Sequence, residues 1–300
     1  MDVVYPYKSA PDDFELRYSL RSLVNVDHDR VVIAGDRPII IDRAVQYVAV
    51  EPVHDRYRSS TVNLLAAIDR VGVSGDFILM HDDIFLLEPW HFQHEHRAPL
   101  EAYIRGGGAS GEYLALAAQT RDILLAQGVE EPLFFGLHTP TIYNAGRLVD
   151  LVREFEGQRY LLRTLYHNLF PAPSRQRDDV KVRAWVGSAG GDVLSISDEC
   201  ATHPGFKTWI ATRFPERCRY ELGAHGRCLI LGYAPTVWAQ AEAAMDREQF
   251  DAVIASPEAA EHWPGDITAI AHDDHHAEHL ARVCGFEDWT WCGRTIKEAA

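Results

Sequence analysis

"DFILMHDDIFLLEP", Asp76 to Pro89, sets two adjacent carboxylates between two apolar runs. Phe77 to Met80 are continuously apolar, the pattern of a strand covered on both faces, as in the centre of a parallel sheet. The chain turns apolar again at Ile84, so Asp82 and Asp83 are pinned between two segments built for the interior. A carboxylate in such a place needs cations or several hydrogen-bond donors around it. Two readings satisfy this. In one, the pair caps the turn after the strand and bonds backbone amides. In the other, it holds Mg²⁺ or Mn²⁺, hard cations that typically bridge one or two carboxylates to substrate phosphates. The second points to a nucleotide-diphosphate site, where the metal neutralises charge on a departing phosphate.

Reading outward, Val3–Tyr7, "RVVIAG" (30–35) and "VQYVAVE" (45–51) are further strands. Between them lie "PDDFELRYSLRSLV", with Asp12 or Asp13 as cap and Phe14, Leu16, Leu20 and Leu23 at helical spacing, and "SSTVNLLAAIDRV", starting near Ser59 or Ser60. This alternation predicts an α/β fold with a mainly parallel, helix-covered sheet, and ligands in such sheets sit beyond the carboxyl ends of the strands, where His81, Asp82 and Asp83 fall. Downstream, "RGGGASGE" links to a helix at Tyr113–Gln127; Thr139–Asn144 and Asp192–Ser197 read as strands, "LVREFEGQRYLLRTLYHNLF" (151–170) as helical and 171–179 as a polar loop. The strand–helix pattern restarts with "RCLILGYAP", "TVWAQAEAAM", "FDAVIAS", "DITAIAH" and "HHAEHLARVCGF". Two domains are therefore expected, 1–222 and a smaller α/β unit at 223–300.

The 300 residues, 47% hydrophobic and 24% charged, are ordinary for a globular chain. No apolar run approaches the roughly 20 residues of a membrane span, and Met1 leads into a strand instead of a signal segment, so a cytoplasmic protein is expected. The five cysteines show no CxxC pairing, and reduced thiols are the default. A formal charge of -15 disfavours nucleic acid and anionic lipid as partners.

Several stretches together resemble a known family. "DDFELRYSLRSL", "RVVIAGDRP" and the run from Ser59 to Pro89 are similar to the second conserved region of the stealth proteins, capsular polysaccharide phosphotransferases related to the lysosomal-enzyme GlcNAc-1-phosphotransferase. "HTPTIYNAGRL" and "YLLRTLYHNLF" resemble the third region, and "LSISDE" with "FPERCRYE" the fourth. The resemblance spans about residues 1–221 and implies a GT-A-like nucleotide-sugar fold, a UDP- or related sugar donor, and a divalent cation. Position by position it implies Asp82 and Asp83 as the metal-binding pair, with Asp83 the direct contact. Glu15, Arg17 and Arg21 match a charged helix whose arginines would clamp a pyrophosphate; Asn63 is a further candidate for donor binding. His138 matches an acid/base histidine, Arg163 a phosphate partner and Asp198 a conserved aspartate. Where the family has an Asp-containing first region this chain reads "YPYKSAP", which offers Tyr7 for stacking on the base and Lys8 for a phosphate. Residues 223–300 have no counterpart.

Other candidates have simpler readings. "HDDHHAEH" (272–279) places His275 and His279 four apart, but its aspartates cap a helix whose inward face is Ala277, Leu280, Ala281 and Cys284. "HFQHEHR" (91–97) is a polar loop, and "LILGYAPTVW" has one turn glycine where a dinucleotide fingerprint needs three. The expected function is metal-dependent transfer of a sugar, or a sugar 1-phosphate, from a nucleotide sugar to a glycan, protein or other hydroxyl acceptor. A modified DNA base as acceptor and a non-catalytic binding module are the alternatives.

Overall fold

The computed structural model describes residues 1–10, 13–38, 40–41, 44–106 and 111–221, together with four strands beyond them. By its internal contacts the chain divides into two units, Met1–Ser9, Phe14–Arg37 and Gln46–Pro215 in the first, Ala10–Asp13, Pro38–Val45 and Glu216–Ala300 in the second. The second unit takes two short N-terminal segments that no composition change marks.

The first unit carries, in chain order, β1 (Asp2–Tyr7), α1 (Phe14–Ser22), β2 (Val31–Gly35), β3 (Val45–Ala49), α2 (Arg56–Val71), β4 (Asp76–Leu79), β5 (Ile84–Leu86), β6 (His94–His96), α3 (Leu100–Arg105), α4 (Gly111–Ala126) and β7 (Thr141–Asn144). There follow α5 (Ala145–Glu154), α6 (Leu162–Leu169), β8 (Ser174–Gln176), β9 (Lys181–Val182), β10 (Val193–Ile196), α7 (Asp198–Thr202) and α8 (Pro204–Arg213). The main sheet has the order β3-β2-β1-β4-β7. β1 pairs parallel with β2 and β4, and β7 pairs antiparallel with β4. It is the mainly parallel, helix-covered α/β sheet that the alternation predicts.

The apolar run of β4 explains its central place. Phe77, Ile78, Leu79 and Met80 are all buried, and full burial of a side chain such as Phe77 stabilises by about 2–3 kcal/mol. Phe77 and Leu79 pack in a core with Leu64 and Ala67 of α2 and Leu148 and Leu151 of α5. Asp55 caps α2 by accepting from the Tyr57 amide at 3.0 Å, which starts the helix earlier than the serines at 59 and 60. β2 ends at Gly35, whose φ is +131° and where a Cβ would lie 2.0 Å from the Tyr7 carbonyl oxygen; no other residue type fits. The helical stretch read at 151–170 is two helices, because Gly157 takes φ +79° and turns the chain between α5 and α6.

β5, β10 and β9 form a separate three-stranded sheet. β10 runs antiparallel to β5, with Ser195 opposite Ile84, and parallel to β9, with Ser195 opposite Lys181. Within 171–179, read as loop, Ser174–Gln176 pairs with β6 as β8.

The second unit holds β11 (Arg227–Leu231), β12 (Ala252–Ile254), β13 (Asp266–Ala271) and β14 (Thr290–Trp291), a parallel sheet of order β12-β11-β13-β14. Three of these strands stand where the apolar runs place them. The expected helices there, and His275 and His279, lie outside the described residues.

Candidate functional site

Topology brings the site together. β7 runs against β4 with Thr141 opposite Leu79, so the amino end of β7 lies beside the carboxyl end of β4. His138, three residues before Thr141, therefore arrives next to the His81–Asp83 segment. The β5-β10-β9 register does the same from the other side. Ser195 and Lys181 sit at adjacent ladder positions across from Ile84, and both reach Asp83: the Lys181 ammonium donates to Asp83 Oδ2 at 2.5 Å and the Ser195 hydroxyl at 2.9 Å.

These residues border a cavity of about 600 Å³ lined by His81, Asp83, Arg97, His138, Arg163, Asp179, Lys181 and Arg183, with Tyr57, Tyr103, Tyr113 and Tyr160 on its aromatic side. That volume falls within the roughly 300–1,000 Å³ usual for small-molecule sites. Four cationic side chains face two carboxylates, an excess of positive charge suited to an anionic ligand.

The charge environment is strongly uneven. Burial raises the Asp83 carboxyl, but Lys181, His81 and the hydrogen bonds from Lys181 and Ser195 outweigh it and hold the group below the usual range. Asp82, its neighbour, is pushed up to about 7 by burial and then by the Asp83 charge. Glu15, on the first turn of α1, is pushed up to about 8 by burial, with Asp82, Asp83 and Asp198 adding to it. His81 is lowered to about 4, first by burial.

His138 is held by Asp179. Its Nδ1 lies 2.9 and 3.0 Å from the two carboxylate oxygens, and its backbone amide donates to Oδ1 at 3.3 Å. Arg163 donates to the Leu137 carbonyl, which fixes it in the cavity wall beside His138.

Of the residues named from sequence, Asp83, His138 and Arg163 thus share one cavity. Asp82 and Glu15 do not line it, though the Asp83 charge acts on both, and Asp198 is exposed at the start of α7, after its cap Ser197. Arg21 is buried and donates to the Phe214 and Pro215 carbonyls at 2.9 and 3.2 Å, so its guanidinium ties α1 to the end of α8. Arg17 is half-buried on α1, Tyr7 is buried at the end of β1, Lys8 is exposed and Asn63 is buried in α2. None of these four, nor Arg21, lines the cavity. Arg97, Asp179, Lys181 and Arg183 line it without having been named; they come from loops and short strands that carry no periodic signal, and only the "RDD" at 177–179 marks one of them as polar.

Among the described residues no group of three or more His, Cys, Asp and Glu side chains is arranged around a metal position. Asp83 offers carboxylate oxygen, the donor a hard divalent cation prefers, and that carboxylate already accepts from Lys181 and Ser195. Burial first, and then neighbouring carboxylates, raise Glu15 and Asp82, and Lys181 is the cation that opposes this. Among the described residues no helix is long and apolar enough to cross a membrane.

No family model matches the chain, and no curated protein matches it. Solved structures similar to it include an active-site mutant of LgtC, 12% identical, covering 73% of this chain and 98% of that one with a TM-score of 0.39. Another is the glycosyltransferase GlyE of Streptococcus pneumoniae TIGR4, 10% identical, covering 100% of this chain and 94% of that one with a TM-score of 0.35; its apo form gives a TM-score of 0.31 at 10% identity, covering 100% and 92%. At TM-scores this low the likenesses carry no conclusion about this chain's chemistry.

Proposed function

We propose that the chain is a nucleotide-sugar-dependent transferase of GT-A-like fold, moving a sugar from a nucleoside-diphosphate sugar, a UDP-sugar by the stealth resemblance, to a hydroxyl of a glycan, protein or other acceptor. One observation carries this reading: Asp83, His138 and Arg163, named from separate stretches, converge in one cation-rich cavity beyond the carboxyl end of a central strand.

In that cavity Arg97, Arg163 and Arg183 supply planar donors matched to a diphosphate. Tyr57, Tyr113 and Tyr160 offer aromatic surface for a base or sugar ring. Asp83, with Asp82, would hold Mn²⁺ or Mg²⁺, which supplies charge neutralisation at the leaving diphosphate when bound. His138 accepts the proton of the attacking hydroxyl. In glycosyl transfer the bond from the anomeric carbon to the phosphate oxygen breaks, and the nucleoside diphosphate leaves with the electron pair.

A second reading, transfer of hexose 1-phosphate, is favoured by the carboxylate-bound histidine, since attack of a hydroxyl at phosphorus also needs its proton removed. UDP-hexose labelled in both the sugar and the sugar-proximal phosphate separates the two. The expected result is Mn²⁺-stimulated UDP release with the sugar label alone in product. Both labels in product select the second reading. Absence of donor binding by calorimetry, with and without Mn²⁺ and across a panel of nucleotide sugars, overturns both.

A further inference from the structure

We infer that Asp179 is a positioning residue that fixes His138 with its proton on Nδ1, leaving Nε2 as the atom that takes the acceptor's proton. The inference rests on the transferase reading and adds to it which ring nitrogen works and what holds it.

The geometry is that of a clamp. Both Asp179 oxygens lie within 3.0 Å of Nδ1, and Oδ1 also accepts from the His138 backbone amide, so the ring and its own main chain are gripped by one carboxylate. The carboxylate is the more enclosed partner, with 18% of its side chain exposed against 42% for the histidine. The carboxylate is thus set back, and the ring is the more accessible of the two groups that line the cavity. An ionised carboxylate only accepts hydrogen bonds, so the nitrogen facing it must carry the proton, in the neutral ring as in the imidazolium. Asp179 stays ionised: burial raises it, but the ring and amide of His138 and the charge of Arg97 outweigh that and hold it below the usual range. The remaining groups around the pair are His81 and Arg163 near His138, and Tyr103 and Tyr113 near Asp179. None of them brings a second carboxylate to the ring. The other acidic group lining the cavity, Asp83, is bonded to Lys181 and Ser195.

The acceptor hydroxyl gives its proton to Nε2, and its oxygen forms a bond to the anomeric carbon or to the sugar-bearing phosphorus. The bond from that atom to the departing phosphate oxygen breaks, and its electron pair leaves with the nucleotide. The imidazolium formed is stabilised by Asp179 and later returns its proton to solvent.

The experiment uses the full chain with ¹⁵N-labelled histidine, the His138 signals being those lost in His138→Gln. The wild type is expected to show the Nδ1–H tautomer and Asp179→Asn the opposite one, since the amide then donates to Nδ1. With UDP-hexose and Mn²⁺, Asp179→Asn is expected to lower kcat by about 10²- to 10⁴-fold with the donor KM little changed, and Asp179→Glu to recover part of the loss. An Nε2–H tautomer in the wild type overturns the inference whether or not any variant folds. So does a loss that appears only in KM. A tautomer that switches as expected in a protein that transfers nothing keeps the clamp and removes the transferase reading instead.

Discussion

Two carboxylate-rich networks in the first unit are built in opposite ways. Around β6 and β8, buried Glu95 accepts from Arg175 at 2.6 Å and Arg177 at 2.9 Å, and Arg177 also donates to Asp192 at 2.5 Å. Two acids meet two guanidiniums, and Asp192 is held below its usual range, chiefly by the Arg177 hydrogen bonds. At the cavity, Asp83 lies near Asp82 and Glu15, with Lys181 as the cation that lowers all three. The balanced network cross-links strands. The unbalanced one holds Glu15 and Asp82 above their usual range, first by burial and then by neighbouring negative charge, the condition in which functional carboxylates are found.

The contrast can be broken at several points. The largest effect is expected at Asp83: Asp83→Ala should lower transfer by about 10³-fold, the scale of removing one key electrostatic contact. If instead the variant unfolds in mild urea and turns over normally when folded, the acidic cluster is structural after all. Glu95→Ala should do the reverse. It leaves Arg177 underpaired in a half-buried place, costs about 3 kcal/mol by urea denaturation, and leaves transfer intact at low temperature.

The smallest effect concerns pH and sharpens the comparison. Glu15 and Asp82 have folded values above their unfolded ones, so the native state binds more protons than the unfolded state over the interval between them. Their contribution to stability is present below about pH 4 and is lost as pH rises through about 7 to 8. Asp192 has the opposite sign; its contribution is present above the ordinary carboxylate range and lost as pH falls below it. Asp82→Asn should therefore raise the thermal midpoint at pH 8, by on the order of 1–2 kcal/mol in stability, and flatten the slope between pH 5 and 8. A lowered midpoint would show that the Asp82 charge is already compensated.

How much of this was legible depends on what kind of signal each part leaves. The strands β1, β2 and β4 follow from continuous apolar runs, and Asp83 follows from being stranded between two of them. His138 and Arg163 were found by resemblance, since on their own they read as a loop histidine and a helix charge. Arg21 shows the limit of reading charge on a helix: sequence offered it to a phosphate, and packing gave it to the Phe214 and Pro215 carbonyls. Asp179 and Lys181 were invisible because their meaning is a matter of register and long-range closure, 41 and 98 residues from the partners they hold. Arg97 and Arg183 likewise sit at the margins of elements too short for any periodicity.

The pairing of Ser195 with both Ile84 and Lys181 has one more consequence. Side chains alternate faces along a strand, so sliding β9 by a single residue against β10 would turn Lys181 to the far side and present Val182 to Asp83. The short three-stranded sheet is therefore an alignment rail. The loop between β9 and β10 should accept added residues, whereas one residue deleted within either strand should silence the site while leaving the main sheet folded.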